Sequence, residues 1–275
     1  MPTQIEHAEA FRARHRRGPP LLLPNAWDGA SARIFAAQGF EAIATTSAGL
    51  AWALGYADGE KAPWDEVVAA TARIVRAARG PVTADIEAGY AETPSALAAH
   101  IAEIIRAGAV GVNLEDGAPG DPTRLLEIEA AADRIRAARG AATNAGVPIV
   151  INARIDLFLA SRGRDLTRFD EAMARGRAYL AAGADCVFPI GLSAPDAIAR
   201  LVASLAAPVN VMALPHGPSL AELEHIGVAR VSTASGIAAA SLDATLRIAR
   251  ELRTTGRFDT LAASLTYPEI QKLFA

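Results

Sequence analysis

Lysine is nearly missing from this chain: of its 27 basic residues only Lys61 and Lys272 are lysine, and the rest are arginine. That absence removes chemistry. No Gly-Lys-Ser or Gly-Lys-Thr occurs, so there is no P-loop to cradle phosphates. Schiff-base and pyridoxal enzymes need a buried lysine, whereas Lys61 sits in the polar turn Asp58-Gly59-Glu60-Lys61 and Lys272 lies three residues from the end of the sequence. Cysteine is equally scarce. With Cys186 alone, neither an intrachain disulfide nor a zinc ribbon can form, and nothing points to an oxidising compartment. No window reaches the roughly 18 apolar residues of a membrane helix, and Met1 to Arg14 carries no apolar block of signal-peptide type. No basic run extends beyond Arg12 to Arg17, and the formal charge is −3, which leaves nucleic acid and anionic membranes little to hold. What is present is a globular composition, 51% hydrophobic and 21% charged over 275 residues. The expectation is a soluble cytoplasmic protein of one domain spanning 1–275.

Short β-type runs recur at Leu21 to Ala26, Ala42 to Thr46, Val82 to Ile86, Val110 to Leu114, Ile149 to Ala153, Cys186 to Pro189, Val209 to Ala213 and Arg230 to Thr233. An Ala-rich segment of helical spacing follows each. Gly39, Gly80, Gly108 and Gly183 supply helix stops before strands. Thr93-Pro94, Asp121-Pro122 and Ala62-Pro63 read as helix starts, with proline at the first helical position and Asp121 as an N-cap. Strands alternating with helices predict parallel pairing, and eight such units fit a closed α/β barrel of (β/α)8 type. A doubly wound sheet usually stops sooner, and no Gly-x-Gly-x-x-Gly follows the first run. A helix over about 4–16 precedes the barrel, and a helical extension over about 235–275 follows it.

In such a barrel the chemistry sits at the C-terminal strand ends, where side chains two apart share a face. Asp85 and Glu87 end the third run, Asn113 and Glu115 the fourth, Asn152 and Arg154 the fifth, and Asn210 pairs with Met212 on the seventh. A strand end is polar also where it merely meets solvent. Three carboxylates on two neighbouring strands, however, repel one another and call for a cation, a proton or an arginine among them. Oxygen-only donors suit Mg²⁺ or Mn²⁺.

Pro24-Asn25-Ala26-Trp27-Asp28, Thr46-Ser47-Ala48-Gly49, Ala84-Asp85-Ile86-Glu87-Ala88-Gly89-Tyr90, Asn113-Leu114-Glu115-Asp116 and Asn152-Ala153-Arg154-Ile155-Asp156 together resemble the strand-end motifs of the isocitrate lyase/phosphoenolpyruvate mutase superfamily, over about residues 20–240. The resemblance implies a modified (β/α)8 TIM barrel whose last helix is exchanged between subunits of a homodimer or homotetramer. It implies Mg²⁺ (or Mn²⁺) and a small α-oxocarboxylate as ligands. Asp85 would be the direct metal ligand, with Glu87, Glu115 and Asp58 acting through water on the metal. Ser47, Ala48 and Gly49 would receive the substrate carboxylate, and Arg154 would pair with substrate oxygens, its planar fork suiting that task. Asn210 and Trp27 would complete the substrate contacts, with Tyr90 another aromatic of the pocket. Arg154, Glu115 and Asp58 are the residues expected to carry the chemistry.

Departures from the pattern narrow the substrate. Isocitrate and methylisocitrate lyases of the family place a catalytic cysteine after the strand-four Glu-Asp, and the phosphonate enzymes place a lysine and an asparagine there. This chain reads Gly117-Ala118-Pro119-Gly120-Asp121-Pro122, which has none of them. Cys186 lies inside a strand run, where a small buried hydrophobe is the natural role. His216, after the seventh run, is a candidate proton donor. The expected activity is a Mg²⁺-dependent carbon–carbon lyase or decarboxylase of a small, oxaloacetate-like α-oxo acid. The alternatives are a P–C bond hydrolase or mutase of phosphonopyruvate type, and a non-catalytic barrel that binds α-oxo acids.

Overall fold

The computed structural model describes residues 2–159, 167–262 and 265–275. In chain order its elements are α1 (Gln4–Ala13), β1 (Leu21–Leu23), β2 (Asn25–Ala26), α2 (Gly29–Ala37), β3 (Ile43–Thr45), α3 (Ser47–Leu54), α4 (Trp64–Ala78), β4 (Val82–Asp85), α5 (Pro94–Arg106), β5 (Gly111–Glu115), β6 (Gly117–Ala118) and β7 (Asp121–Leu125). Then come α6 (Ile128–Ala145), β8 (Val150–Arg154), α7 (Phe169–Ala181), β9 (Cys186–Phe188), α8 (Pro195–Leu205), β10 (Asn210–Met212), α9 (Leu220–Ile226), β11 (Arg230–Ser232), α10 (Gly236–Thr255) and α11 (Tyr267–Phe274).

Each of the eight runs read as strands is a strand. The first is interrupted at Pro24, which has no N–H to donate, and so counts as β1 and β2. The ring runs β2, β3, β4, β5, β8, β9 in one parallel sheet and β10, β11, β1 in another, with a Val187 to Val209 bridge joining them. Carrying the register once round the ring returns the chain offset by eight residues, the shear of a closed (β/α)8 barrel. The sheet is buried on both faces: Val112, Ile151, Ala153 and Val187 lie at its centre. At the lower end α1 packs Ala8 and Phe11 into the core. Arg12 fastens it there, pairing with Asp185 and donating to the Ile149 carbonyl at 2.9 Å.

Two expectations at helix starts need correction. Asp121 is not an N-cap: Asp121–Leu125 is β7, which pairs antiparallel with β6 in a hairpin rising from the C-terminal end of β5. Proline at its second position suits a two-stranded edge as well as a helix start, and pairing to Gly117 and Ala118 decides for the edge. Pro63 is itself the cap residue, one place ahead of helix α4. Thr93-Pro94 does open α5, with the Thr93 hydroxyl accepting from Ala96 N–H. Beyond the barrel α10 buries only Ala238 and leaves Leu242, Leu246 and Leu252 exposed. Among the described residues no helix is long and apolar enough to cross a membrane.

Candidate active site

Asp85 closes β4 and is fixed from three sides. Its backbone N–H donates to Thr45 Oγ1 at 2.8 Å, and its Oδ2 accepts from Ser47 N–H at 3.1 Å and Ser47 Oγ at 3.0 Å. Ser47 is the first residue of α3, so the carboxylate sits at the positive end of a helix, capped by Thr46 through Gly49 N–H at 3.3 Å. Asp85 Oδ1 is buried and has no hydrogen-bond partner among the described residues. A buried acceptor without a donor is rare and asks for a ligand. Gly49 serves close packing: a Cβ there would meet Thr46 Cγ2 at 2.7 Å and the Cβ atoms of Trp27 and Ala238 at 3.0 Å.

Glu115 and Arg154 end β5 and β8 as register partners and form an ion pair. Arg154 also grips Asp156, Nε to Oδ1 at 2.6 Å and Nη2 to Oδ2 at 2.9 Å. With Nε and Nη2 on Asp156 and Nη1 on Glu115 the guanidinium plane is fixed, and one N–H on each of Nη1 and Nη2 is left for another anion. Burial alone would lower Arg154, and Glu115 and Asp156 more than reverse it, so it stays a permanent cation. Burial raises Glu115 well above the usual carboxylate range against the pull of Arg154. Behind them Asp116 accepts from Tyr179 at 2.7 Å, Arg175 at 3.1 Å and Asp156 N–H at 3.0 Å, which braces the Asp156 turn.

Glu87 does not continue the strand beside Asp85 as alternation predicted. The strand ends at Asp85, and Glu87 takes φ of 53°, a left-handed conformation uncommon outside glycine. Its carboxyl accepts from Glu60 N–H at 2.8 Å and Tyr90 O–H at 2.9 Å, while Glu60 Oε1 accepts from Tyr90 N–H at 2.6 Å. Burial, with Asp58 adding, pushes Glu87 up to about 7. Asp58 is itself raised, by desolvation and by Asp85. Tyr90 is raised by burial and by Glu87. Glu87 and Glu115 line a small cavity with Gly59, Glu60, Ala88, Gly117, Ala118 and Gly120, so the β6–β7 hairpin forms one wall.

Asp58, Asp85, Glu87, Glu115 and Asp156 thus crowd near one guanidinium, and a divalent cation among them would favour the ionised forms of Asp58, Glu87 and Glu115 that burial and mutual repulsion disfavour. Oxygen donors and the orphaned Asp85 Oδ1 fit such an ion. No three His, Cys, Asp or Glu side chains among the described residues are placed to ligate one ion directly. The donor set therefore suits a cation that keeps most of its waters, as Mg²⁺ does.

Other expected site residues lie differently. Both donors of Ser47 are spent on Asp85 and Gly49 N–H on Thr46, which among the described residues leaves Ala48 N–H as the first-turn α3 amide open to an anion. Trp27 packs its Cβ against the Gly49 position. Asn210 is wholly buried and bonded to Ser232, Nδ2 to Oγ at 3.2 Å. His216 is exposed and lines a separate depression with Pro215, Pro218 and Glu222. Cys186 is a buried free thiol pushed up to about 12 by desolvation. Sequence reasoning missed Asp156 and Glu60 as partners of the site, although Asp156, two places after Arg154, was quoted among the strand-end motifs.

A family model, Phosphoenolpyruvate phosphomutase, matches residues 11–253. The chain is 30% identical to an oxaloacetate decarboxylase of Ectopseudomonas mendocina over 95% of this chain and 90% of that protein. A crystal structure from Burkholderia cenocepacia J2315 superposes with a TM-score of 0.90 at 40% identity, covering 99% of this chain and 96% of that one. 2,3-Dimethylmalate lyase, described as a PEP mutase/isocitrate lyase superfamily member, superposes with a TM-score of 0.84 at 26% identity, covering 100% and 95%.

Proposed function

The chain belongs to the phosphoenolpyruvate mutase/isocitrate lyase superfamily, and from that we propose a Mg²⁺- or Mn²⁺-dependent lyase of small α-oxocarboxylic acids. The reaction is cleavage of the C–C bond next to the oxo group, or loss of the carboxylate one carbon further out, whose electron pair can delocalise onto the oxo oxygen, and oxaloacetate fits best. The reading is carried by one juxtaposition, the buried Asp85 Oδ1, unpartnered among the described residues, near the Arg154 guanidinium with two N–H groups to spare. The similarity to an oxaloacetate decarboxylase over nearly the whole chain supports it.

Asp85 would hold the ion, with Glu87, Glu115 and Asp58 accepting from its waters. When bound, the ion supplies Lewis-acid stabilisation of negative charge. The chain's own groups do the rest. Ala48 N–H, at the start of α3, receives the substrate carboxylate. Arg154 turns its free N–H groups to the oxo oxygen, where the electron pair of the broken bond arrives as oxaloacetate loses CO₂. The β6–β7 hairpin narrows access of water. The pyruvate enolate that remains takes up one proton at carbon to give pyruvate, and no side chain need remove a proton from the substrate first.

Steady-state assay against a panel of α-oxo acids with Mg²⁺ is the test. Release of CO₂ and pyruvate from oxaloacetate supports the proposal; phosphate from phosphonopyruvate favours P–C chemistry, and tight oxalate binding with no turnover a sensor. Arg154→Ala should lower kcat/KM at least about 30-fold, as expected for a desolvated charged hydrogen bond, and wild-type kinetics would remove it from the site.

The same reading covers assembly. We propose that α10, which buries only Ala238 in its own barrel, packs its Leu242 and Leu246 face on a neighbouring subunit of a homodimer or homotetramer. Light scattering of the full chain should give a multiple of the 28.6 kDa chain mass, and a monomer at micromolar concentration would refute it.

A further inference from the structure

A second arginine lies in the barrel interior below the site, and the chemistry above does not use it. Arg230 opens β11 and is 0% exposed. It forms no ion pair among the described residues: Nη2 donates to Asn113 Oδ1 at 3.0 Å, while Nε and Nη1 are buried with no partner. The groups that face it give no adjacent counter-charge. The Phe11 ring lies 5.9 Å from its guanidinium carbon, and Cys186 is a neutral thiol. His15 is held neutral by burial and by Arg230 itself, and the carboxylate that acts on Arg230 is Asp85, in the site. Burial lowers Arg230 only to about 10, so it is charged at neutral pH. An arginine kept ionised without a paired carboxylate is costly to the fold, and hydrophobic residues would fill the space more stably.

What the cation does is orient an amide. Asn113 Oδ1 accepts from Arg230 Nη2 and from Asn152 Nδ2, the latter at 2.8 Å. A guanidinium can only donate, so Asn113 must turn its oxygen to Arg230 and its NH₂ the other way. Asn113 lies between its register partners Asp85 and Asn152, two residues before Glu115 on the same strand face. Its Nδ2 donates to no described residue. The neighbouring carboxylates and any α-oxo acid present only acceptors, so an amide turned over would set oxygen against oxygen.

We propose that Arg230 is a positioning residue, which through Asn113 aims an amide N–H pair at the oxo and carboxylate oxygens of an α-oxocarboxylate seated over Asp85. The inference rests on the function proposed above. A double-mutant cycle on the full chain tests it, with Arg230→Met, Asn113→Ala and the pair compared for Mg²⁺-dependent oxalate affinity and for Tm. Arg230→Met should weaken oxalate binding roughly 30-fold with Asn113 present and less than about threefold without it. Its Tm should match or exceed that of wild type, since an unpaired buried charge has gone. Equal losses in both backgrounds, or a loss that tracks a falling Tm, overturn the proposal. Should wild type bind no oxalate, the functional reading fails by itself, and positioning is read in the ligand-free protein. There Arg230→Met should move or broaden the Asn113 side-chain amide signals in ¹H–¹⁵N spectra; unchanged signals overturn it.

Discussion

Asp85→Ala is expected to abolish Mg²⁺-dependent oxalate binding and to lower turnover of any α-oxo acid by at least about 10³-fold, while the protein still folds. The first half follows from Oδ1, the buried acceptor with no donor among the described residues. Glu87 is committed to Glu60 and Tyr90, and Glu115 to Arg154. The second half follows from position. Asp85 ends a strand and fills no core volume, and its removal relieves repulsion among the remaining carboxylates. The cost is confined to the Ser47 N–H and O–H, which lose an acceptor worth about 1–3 kcal/mol if no water replaces it. Asp85→Asn separates the two roles, because an amide oxygen can still receive Ser47 but carries no charge for a cation. Calorimetry with oxalate and Mg²⁺ decides: affinity unchanged in Asp85→Ala would remove Asp85 from the metal site.

The barrel was legible because the strands are signalled locally, by short buried apolar runs each followed by an Ala-rich helical segment, four of them opened by a small-residue turn. Val82 to Ile86 and Ile149 to Ala153 needed no knowledge of their neighbours. Asp121-Pro122 was misread for the complementary reason: the dipeptide is the same at a helix start and at a hairpin edge, and the deciding partners are Gly117 and Ala118. Alternation placed Glu87 on the face of Asp85, but the strand ends two residues earlier than a period-two count can detect, and a positive φ re-aims the side chain. Ser47 shows a different limit. Its residue type was right for an anion site, yet Asp85, 38 residues away, takes both its donors. Asn210 fell at the expected strand, and its bond to Ser232 on the next one has no local signature. Arg230 read as the polar start of a strand run, and neither its burial nor its grip on Asn113, 117 residues earlier, has a local signature.

Isocitrate and methylisocitrate lyase activity should lie at least about 10³-fold below the decarboxylase or α-oxo acid lyase activity, the scale of losing a general acid. Retro-aldol cleavage needs a base for the substrate hydroxyl and an acid placed to protonate the carbanion that leaves, whereas loss of the carboxylate β to the oxo group of oxaloacetate needs neither group in a fixed position. The segment that would carry the acid is the β6–β7 hairpin, and it offers no cysteine, lysine or histidine. Arg124 cannot give up its proton, and Asp121 is exposed on the strand rather than turned into the cavity wall that Gly117, Ala118 and Gly120 form. Cys186 is buried in β9, with its thiol pushed up to about 12. His216 faces another depression. An imine route is closed as well, since Lys61 and Lys272 are both exposed and lack the buried setting that activates such an amine. Glyoxylate released from isocitrate, trapped as its phenylhydrazone, measures the residual rate. A rate comparable with oxaloacetate decarboxylation would sink this reading and move the search to the Tyr90 hydroxyl. It is the O–H donor already bonded to Glu87 beside the cavity, and a Tyr90→Phe variant would then have to lose the lyase reaction and spare the decarboxylation.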